Sequence, residues 1–145
     1  MNKPLLVLDT NVVLDLLHFD DLNARPLRNA LADGRVRCVV SATTLEELRR
    51  VLAYPEFALA PARQAALLGD YQDLSMRVET VAVYAGLPRC SDPDDQKFLE
   101  LAAAVQAQVL ASKDRALLKL RRCGAPPFRI LSPAEAVRWL NGIDG

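Results

Sequence analysis

The chain has 145 residues, the usual size of one domain, and 51% of them are hydrophobic. Its 18 basic and 18 acidic side chains cancel, so a nucleic-acid partner would be held by a local patch rather than a global field. No stretch approaches the roughly 20 apolar residues of a membrane span, and Asp9 interrupts the first apolar run too early for a signal peptide. Three widely spaced cysteines without a CxxC pair favour neither a disulfide scaffold nor a zinc site. We expect one cytoplasmic domain over residues 1–145, with reduced thiols.

Short apolar runs alternate with helical segments along the chain. Strands are predicted over residues 5–9, 36–40, 109–111 and 129–131. Helices are predicted after Asn11, over residues 26–32, from near Thr44, over residues 61–76, and from near Asp95, Asp114 and Ser132. The last helix opens on Ser132-Pro133 with Glu135 following, a capping-box signature. Because the strands are continuously apolar, we expect an α/β fold with a central parallel sheet of about four or five strands flanked by helices.

Acidic side chains stand at the ends of two predicted strands. Asp9 ends the first run, with Asn11 close behind, and Asp114 closes the sequence VLASKD. Parallel sheets bind ligands at the carboxyl ends of their strands, and a buried carboxylate is costly unless it is paired or bound to a cation. Mg²⁺ and Mn²⁺ prefer oxygen ligands, and several acids around such ions suit phosphodiester cleavage. Taken singly, Asp9, Asn11 and Asp114 are explained equally well as helix caps or turn residues.

Helical phase separates two adjacent glutamates in TTLEELRRVL. The buried stripe of this helix is formed by Leu45, Leu48, Val51 and Leu52. Glu46 points away from the stripe and suits an ion pair with Arg50 or a capping box with Thr43. Glu47 lies on the shoulder of the stripe, from which its carboxylate can reach a cleft.

The stretch SDPDDQ offers three acids at the start of a helix. Asp92 before a proline is typical of an N-cap, and acids in a first helical turn favour the helix dipole. Asp95 falls near the apolar stripe that begins at Phe98, which aims it inward. We rank Asp95 first as a ligand, Asp94 second and Asp92 mainly as a cap.

A basic stretch follows the last candidate acid. From Arg115 to Ala134 there is no acid, and the basic residues are Arg115, Lys119, Arg121, Arg122 and Arg129. A solvated helix face is the usual meaning of such a run. The alternative is that Arg115, Lys119, Arg121 and Arg122 contact RNA phosphates beside the site.

Four stretches in the order LVLDTNVVLDLL, SATTLEELRRVL, DPDDQKFLELAAA and VLASKDRALL resemble the PIN domain (PilT N-terminal domain) family. They are most similar to its bacterial branch of toxins from toxin–antitoxin pairs, over essentially the whole chain. The resemblance implies a three-layer α/β fold and a ribonuclease that uses Mg²⁺ or Mn²⁺. It implies catalytic and metal-binding roles for Asp9, Glu47, Asp95 and Asp114. It also implies supporting roles for Asn11 and Ser112, whereas Asp94 or Asp92 can substitute for or supplement Asp95.

The resemblance further implies three partners: an RNA substrate, an antitoxin protein encoded by a neighbouring gene, and a second copy of the chain. It implies no membrane. Two alternatives stand beside the ribonuclease. One is a non-catalytic module of the same fold that binds RNA or a protein. The other is a different Mg²⁺-dependent phosphohydrolase, although a dehalogenase-like enzyme would want an aspartate where Asn11 stands.

Overall fold

The computed structural model describes residues 3–79, 86–122 and 127–144, without the side chains of Arg122 and Asp144. One central sheet is built from five parallel strands: β1 (Leu5–Leu8), β2 (Arg37–Val40), β3 (Ser75–Arg77), β4 (Val109–Ala111) and β5 (Arg129–Leu131). Their order in the sheet is β3-β2-β1-β4-β5. The chain order therefore reverses at β1, which has β2 on one side and β4 on the other. Segments leaving β1 and β4 start side by side, at the place where such sheets bind ligands.

Helices cover both faces of the sheet. The α-helices of the described residues are α1 (Thr10–Leu17), α2 (Arg25–Ala32), α3 (Ala42–Leu52), α4 (Pro61–Leu74), α5 (Gln96–Ala104), α6 (Arg115–Leu118) and α7 (Pro133–Asp144). Short 3₁₀ turns span Pro55–Phe57, Pro93–Asp95 and Lys119–Arg122.

Two hydrophobic cores lie on opposite faces of the sheet. Leu6 and Leu8 of β1 pack with α1, α2, α3, α4 and α7, whereas Val7 packs with α5 and α6. Successive strand residues point to opposite faces, so burial of both faces requires uninterrupted apolar strands. This arrangement is the predicted three-layer α/β fold. No helix in the described part of the chain is both long and apolar enough to span a membrane.

The strand and helix predictions agree with the structure except at the edge of the sheet. The helix predicted over residues 61–76 ends at Leu74, and Ser75–Arg77 forms the edge strand β3 instead. The predicted capping box at α7 is present: the Ser132 N–H donates to Glu135 Oε1 (2.9 Å) and the Glu135 N–H donates to Ser132 Oγ (3.2 Å).

Both roles predicted for Glu46 need correction. Its carboxylate pairs with Arg49 rather than Arg50, one residue closer along the helix. The capping box of α3 is made by Ser41 and Thr44 rather than by Thr43 and Glu46, because the helix begins at Ala42. Glu46 is nevertheless exposed, as its helical phase predicts.

The cysteines of the described residues are free thiols. Cys38 and Cys90 are both buried, one in each core. Cys123 lies outside the described residues.

Candidate metal centre

Asp9 is placed by the central strand pair. Its N–H donates to the carbonyl of Ala111 (2.9 Å), which extends the β1–β4 ladder one residue beyond β1. Asp9 precedes α1, but its side chain makes no capping hydrogen bond. Asp9 is only 4% exposed, so its carboxylate is buried.

The 3₁₀ turn Pro93–Asp95 separates the three acids of SDPDDQ. Asp92 caps the turn by accepting from the Asp94 N–H (3.0 Å), and the Asp94 side chain is exposed. Asp95 points inward at the entrance to α5 and is 6% exposed. Of the three, Asp95 is the one that the fold directs toward Asp9.

Asp114 combines two tasks at the start of α6. Its Oδ1 accepts from the Ala116 N–H (2.8 Å), so it caps the helix. It also joins Asp9 and Asp95 in a group of three carboxylates, from which one oxygen each lies within 4.8 Å of the others. Asp95 Oδ2 is buried and has no hydrogen-bond partner among the described residues. Three converging carboxylates with an unpartnered buried oxygen fit a hard divalent cation.

The pKa values of the three carboxyls reflect their crowding. Burial raises the pKa of Asp9 to about 6, although the hydrogen bond from Ser112 opposes the rise and the charge of Glu47 adds to it. Burial also raises the pKa of Asp95 to about 8, with further contributions from its hydrogen bond with Asp114 and from the charge of Asp9. The same hydrogen bond lowers the pKa of Asp114. The opposite directions of the Asp95 and Asp114 pKa values are typical of two carboxyls that lie close together.

Ser112 and Asn11 connect the ligand candidates. The buried Ser112 Oγ donates to Asp9 Oδ2 (2.6 Å) and accepts from the Asp114 N–H (2.9 Å). Asn11 lies inside α1 rather than at its cap; its Nδ2 is 3.4 Å from Asp9 Oδ2, and its Oδ1 accepts from the Lys113 N–H (3.3 Å). Groups of this kind orient metal ligands.

Glu47 is held beside this group of three rather than within it. Its Oε2 accepts from Thr10 Oγ1 (2.5 Å), and its Oε1 forms an ion pair with Lys97 Nζ (2.7 Å). Neither Thr10 nor Lys97 was predicted from the sequence. A Thr next to a strand-end Asp and a Lys within the turn after Asp95 are the signals that could have drawn attention to them.

A second unpredicted ion pair lies near the centre. Asp15 of α1 is buried, and Lys113 Nζ lies 2.9 Å from its Oδ2. Because Lys113 stands between Ser112 and Asp114, this ion pair ties the segment after β4 to α1.

The basic stretch after Asp114 is only partly available. Arg115 and Lys119 are exposed, whereas Arg121 donates to both carboxylate oxygens of Glu135 (2.7 and 2.9 Å). The side chain of Arg122 lies outside the described residues.

Comparison with known proteins defines the class. The sequence pattern of the PIN domain family matches residues 5–116, and the chain belongs to that family. PIN domains are generally nucleases and use divalent metals. Among solved structures, the fold is similar to the crystal structure of VapBC2 from Rickettsia felis bound to a DNA fragment from their promoter. The TM-score is 0.61 at 14% identity, over 88% of this chain and 98% of that chain. No curated protein matches the sequence.

Proposed function

We propose that the protein is a Mg²⁺- or Mn²⁺-dependent endoribonuclease that cleaves RNA phosphodiesters. Its proposed metal-binding and catalytic residues are Asp9, Glu47, Asp95 and Asp114. The observation that carries the proposal is the buried Asp95 Oδ2, which lacks a hydrogen-bond partner in the described residues while two other carboxylates converge on it. A buried oxygen of this kind is costly unless a hydrogen bond, an ion pair or a cation satisfies it.

The surrounding side chains support this use of the three carboxylates. Ser112 bonds the Asp9 carboxylate and the backbone of Asp114 at the same time, so one hydroxyl links the segments that carry two of the proposed ligands. Asn11 adds a weaker contact to Asp9. When bound, a divalent ion acidifies water and offsets the negative charge of the phosphodiester.

Exposed basic residues support a phosphate-bearing substrate. Arg115 directly follows Asp114, and both it and Lys119 are exposed. We propose that they contact RNA phosphates, which would position the strand without reading its bases. Arg121 is held by Glu135, so its proposed contact requires exchange of that ion pair. Arg122 remains a prediction from the sequence.

We also propose that an antitoxin protein binds this chain and that the nuclease is the toxin of such a pair. The support is the resemblance to the toxin branch and the similar fold found in a VapBC2 assembly. Phe19 and Leu22 are 57% and 71% exposed after α1, and the Phe19 ring contacts those of His18 and Phe57. Exposed apolar groups of this kind favour a protein contact. Self-association and a cytoplasmic location remain predictions from the sequence.

A cleavage assay with a matched variant tests the nuclease proposal. Purified protein is incubated with mixed RNA and with single-stranded DNA, in Mg²⁺, in Mn²⁺ and in EDTA. We expect RNA cleavage that needs metal, is lost in Asp9→Asn and persists in Asp73→Asn, which makes the same chemical change at an exposed position.

Other outcomes separate the alternatives. Cleavage in EDTA, or undiminished cleavage by Asp9→Asn, would overturn the metal-dependent assignment. If the protein shows no cleavage and no metal-induced rise in melting temperature, a non-catalytic module of the same fold is favoured. Cleavage of DNA but not RNA would support the proposed metal centre and overturn the proposed RNA substrate.

A further inference from the structure

Lys97 and Glu47 form an ion pair beside the candidate metal centre. Lys97 Nζ lies 2.7 Å from Glu47 Oε1, and the two side chains are only 20% and 15% exposed. Thr10 Oγ1 donates to the other carboxylate oxygen, Oε2. Both oxygens of Glu47 are therefore engaged by groups of the chain itself. Water screens this pair much less than a surface ion pair, because the two charged groups are largely shielded.

Glu47 is close enough to Asp9 to affect it electrostatically. Its charge is one of the causes that raise the pKa of Asp9. Its partner Thr10 directly follows Asp9, and its partner Lys97 lies in the same helical turn as Asp95. The elements that position two of the proposed ligands therefore also deliver the hydroxyl and the ammonium that hold Glu47.

The location of the ammonium group limits what else Glu47 can bind. Centres with two metal ions place them about 3.5–4 Å apart, and carboxylates beside the first ion bind the second. Glu47 is the candidate for such a role, because it is a carboxylate near Asp9 that lies outside the group of Asp9, Asp95 and Asp114. A second divalent ion on Glu47 Oε1 would lie against the Lys97 ammonium, and the two cations would repel each other.

We propose that the Lys97 ammonium takes the place of a second metal ion, so that the centre binds one divalent cation per chain. The ion is held by Asp9, Asp95 and Asp114, and the charge of Glu47 is neutralised by Lys97 instead of by a second ion. Glu47 then belongs to the centre through this ion pair rather than as a direct ligand, which refines the four-residue assignment proposed above. This inference rests on the proposed metal-dependent function and adds its metal stoichiometry.

Counting bound Mn²⁺ tests the inference without reference to activity. The protein is stripped with a chelator and titrated with MnCl₂, and free Mn²⁺ is followed by electron paramagnetic resonance. We expect one bound ion in the wild type and two in Lys97→Gln, with broadening of the bound signal by coupling between the two ions. The double variant Lys97→Gln/Glu47→Gln should return to one ion, because the second site then has no carboxylate.

The controls keep the outcomes distinct. Lys119→Gln removes a lysine from an exposed position and should bind one ion. Two ions in the wild type, or one ion in a folded Lys97→Gln, would overturn the role of Lys97. No bound ion in the wild type would overturn the proposed metal-dependent function itself, and with it this inference.

Discussion

Replacing Asp9 with asparagine should stabilise the metal-free protein, and the gain should grow with pH. Asp9 is 4% exposed and lies beside two other carboxyls. Its pKa is raised in the folded chain, so the folded state binds more protons than the unfolded chain between about pH 4 and 7. The stability that wild type owes to protonated Asp9 is therefore complete below pH 4 and is lost as pH rises through 6. Asparagine is neutral throughout and avoids that loss.

The magnitude follows from the pKa of Asp9. A rise from 3.8 to about 6 corresponds to ~3 kcal/mol of unfavourable free energy for the ionised group at pH 8. The asparagine amide keeps an oxygen that can accept from Ser112, but it adds two N–H donors in a buried position. The desolvation of these two donors costs about 1 kcal/mol or more, which reduces the gain from removing the buried charge. We expect a net stabilisation of about 1–2 kcal/mol at pH 8, which is a rise of roughly 3–8 °C in melting temperature for a domain of this size.

Thermal and urea unfolding in EDTA measure this effect at pH 5 and pH 8. Asp73→Asn is the matched control, because Asp73 is exposed and the same change there should stay within about 0.5 kcal/mol. In saturating Mn²⁺ the order should reverse, because the wild type gains more from the ion than a variant lacking one ligand. A destabilised Asp9→Asn, or an equal shift at both pH values, would show that the cost of burying the Asp9 charge does not govern this position.

Two further substitutions test the supports of the centre. Ser112→Ala removes the hydroxyl that joins Asp9 to the Asp114 backbone, and it should weaken Mn²⁺ binding about 10–100-fold, measured by titration calorimetry; unchanged affinity would refute its orienting role. Lys113→Met leaves the buried Asp15 without its ion-pair partner and should cost about 1–2 kcal/mol by urea unfolding, less than for a fully buried pair because Lys113 is half exposed. Adding Asp15→Asn should recover part of that loss, and a double variant less stable than Lys113→Met would contradict the explanation.

The central architecture could be predicted because the inner strands are buried on both faces. That burial demands apolar residues, and β1 and β4 are recognisable in the sequence as continuous apolar runs. The edge strand β3 could not be found so readily. Its sequence, SMR, is mostly exposed and has no β-branched residue, and it continues directly from α4.

Some features of the candidate site follow from the local sequence, whereas others depend on the tertiary structure. Helical phase is a local property, and it placed Asp95 inward and Glu47 on the shoulder of α3. The contacts of Glu47 depend on how α3, α5 and the start of α1 pack together. No spacing in the sequence predicts that packing, so the contacts of Glu47 with Thr10 and Lys97 were found only in the structure.

The pairing of β1 with β4 has a consequence for the chain as it is synthesised. The neighbour that completes the middle of the sheet is encoded about a hundred residues after β1, and Asp95 and Asp114 come equally late. A ribosome makes the chain from its N-terminus, so Asp9 is synthesised well before Asp95 and Asp114. The proposed nuclease centre therefore cannot assemble on a short nascent chain. A fragment ending before β4 would lack both the strand and the last carboxylate, and premature termination would yield a product without the proposed activity.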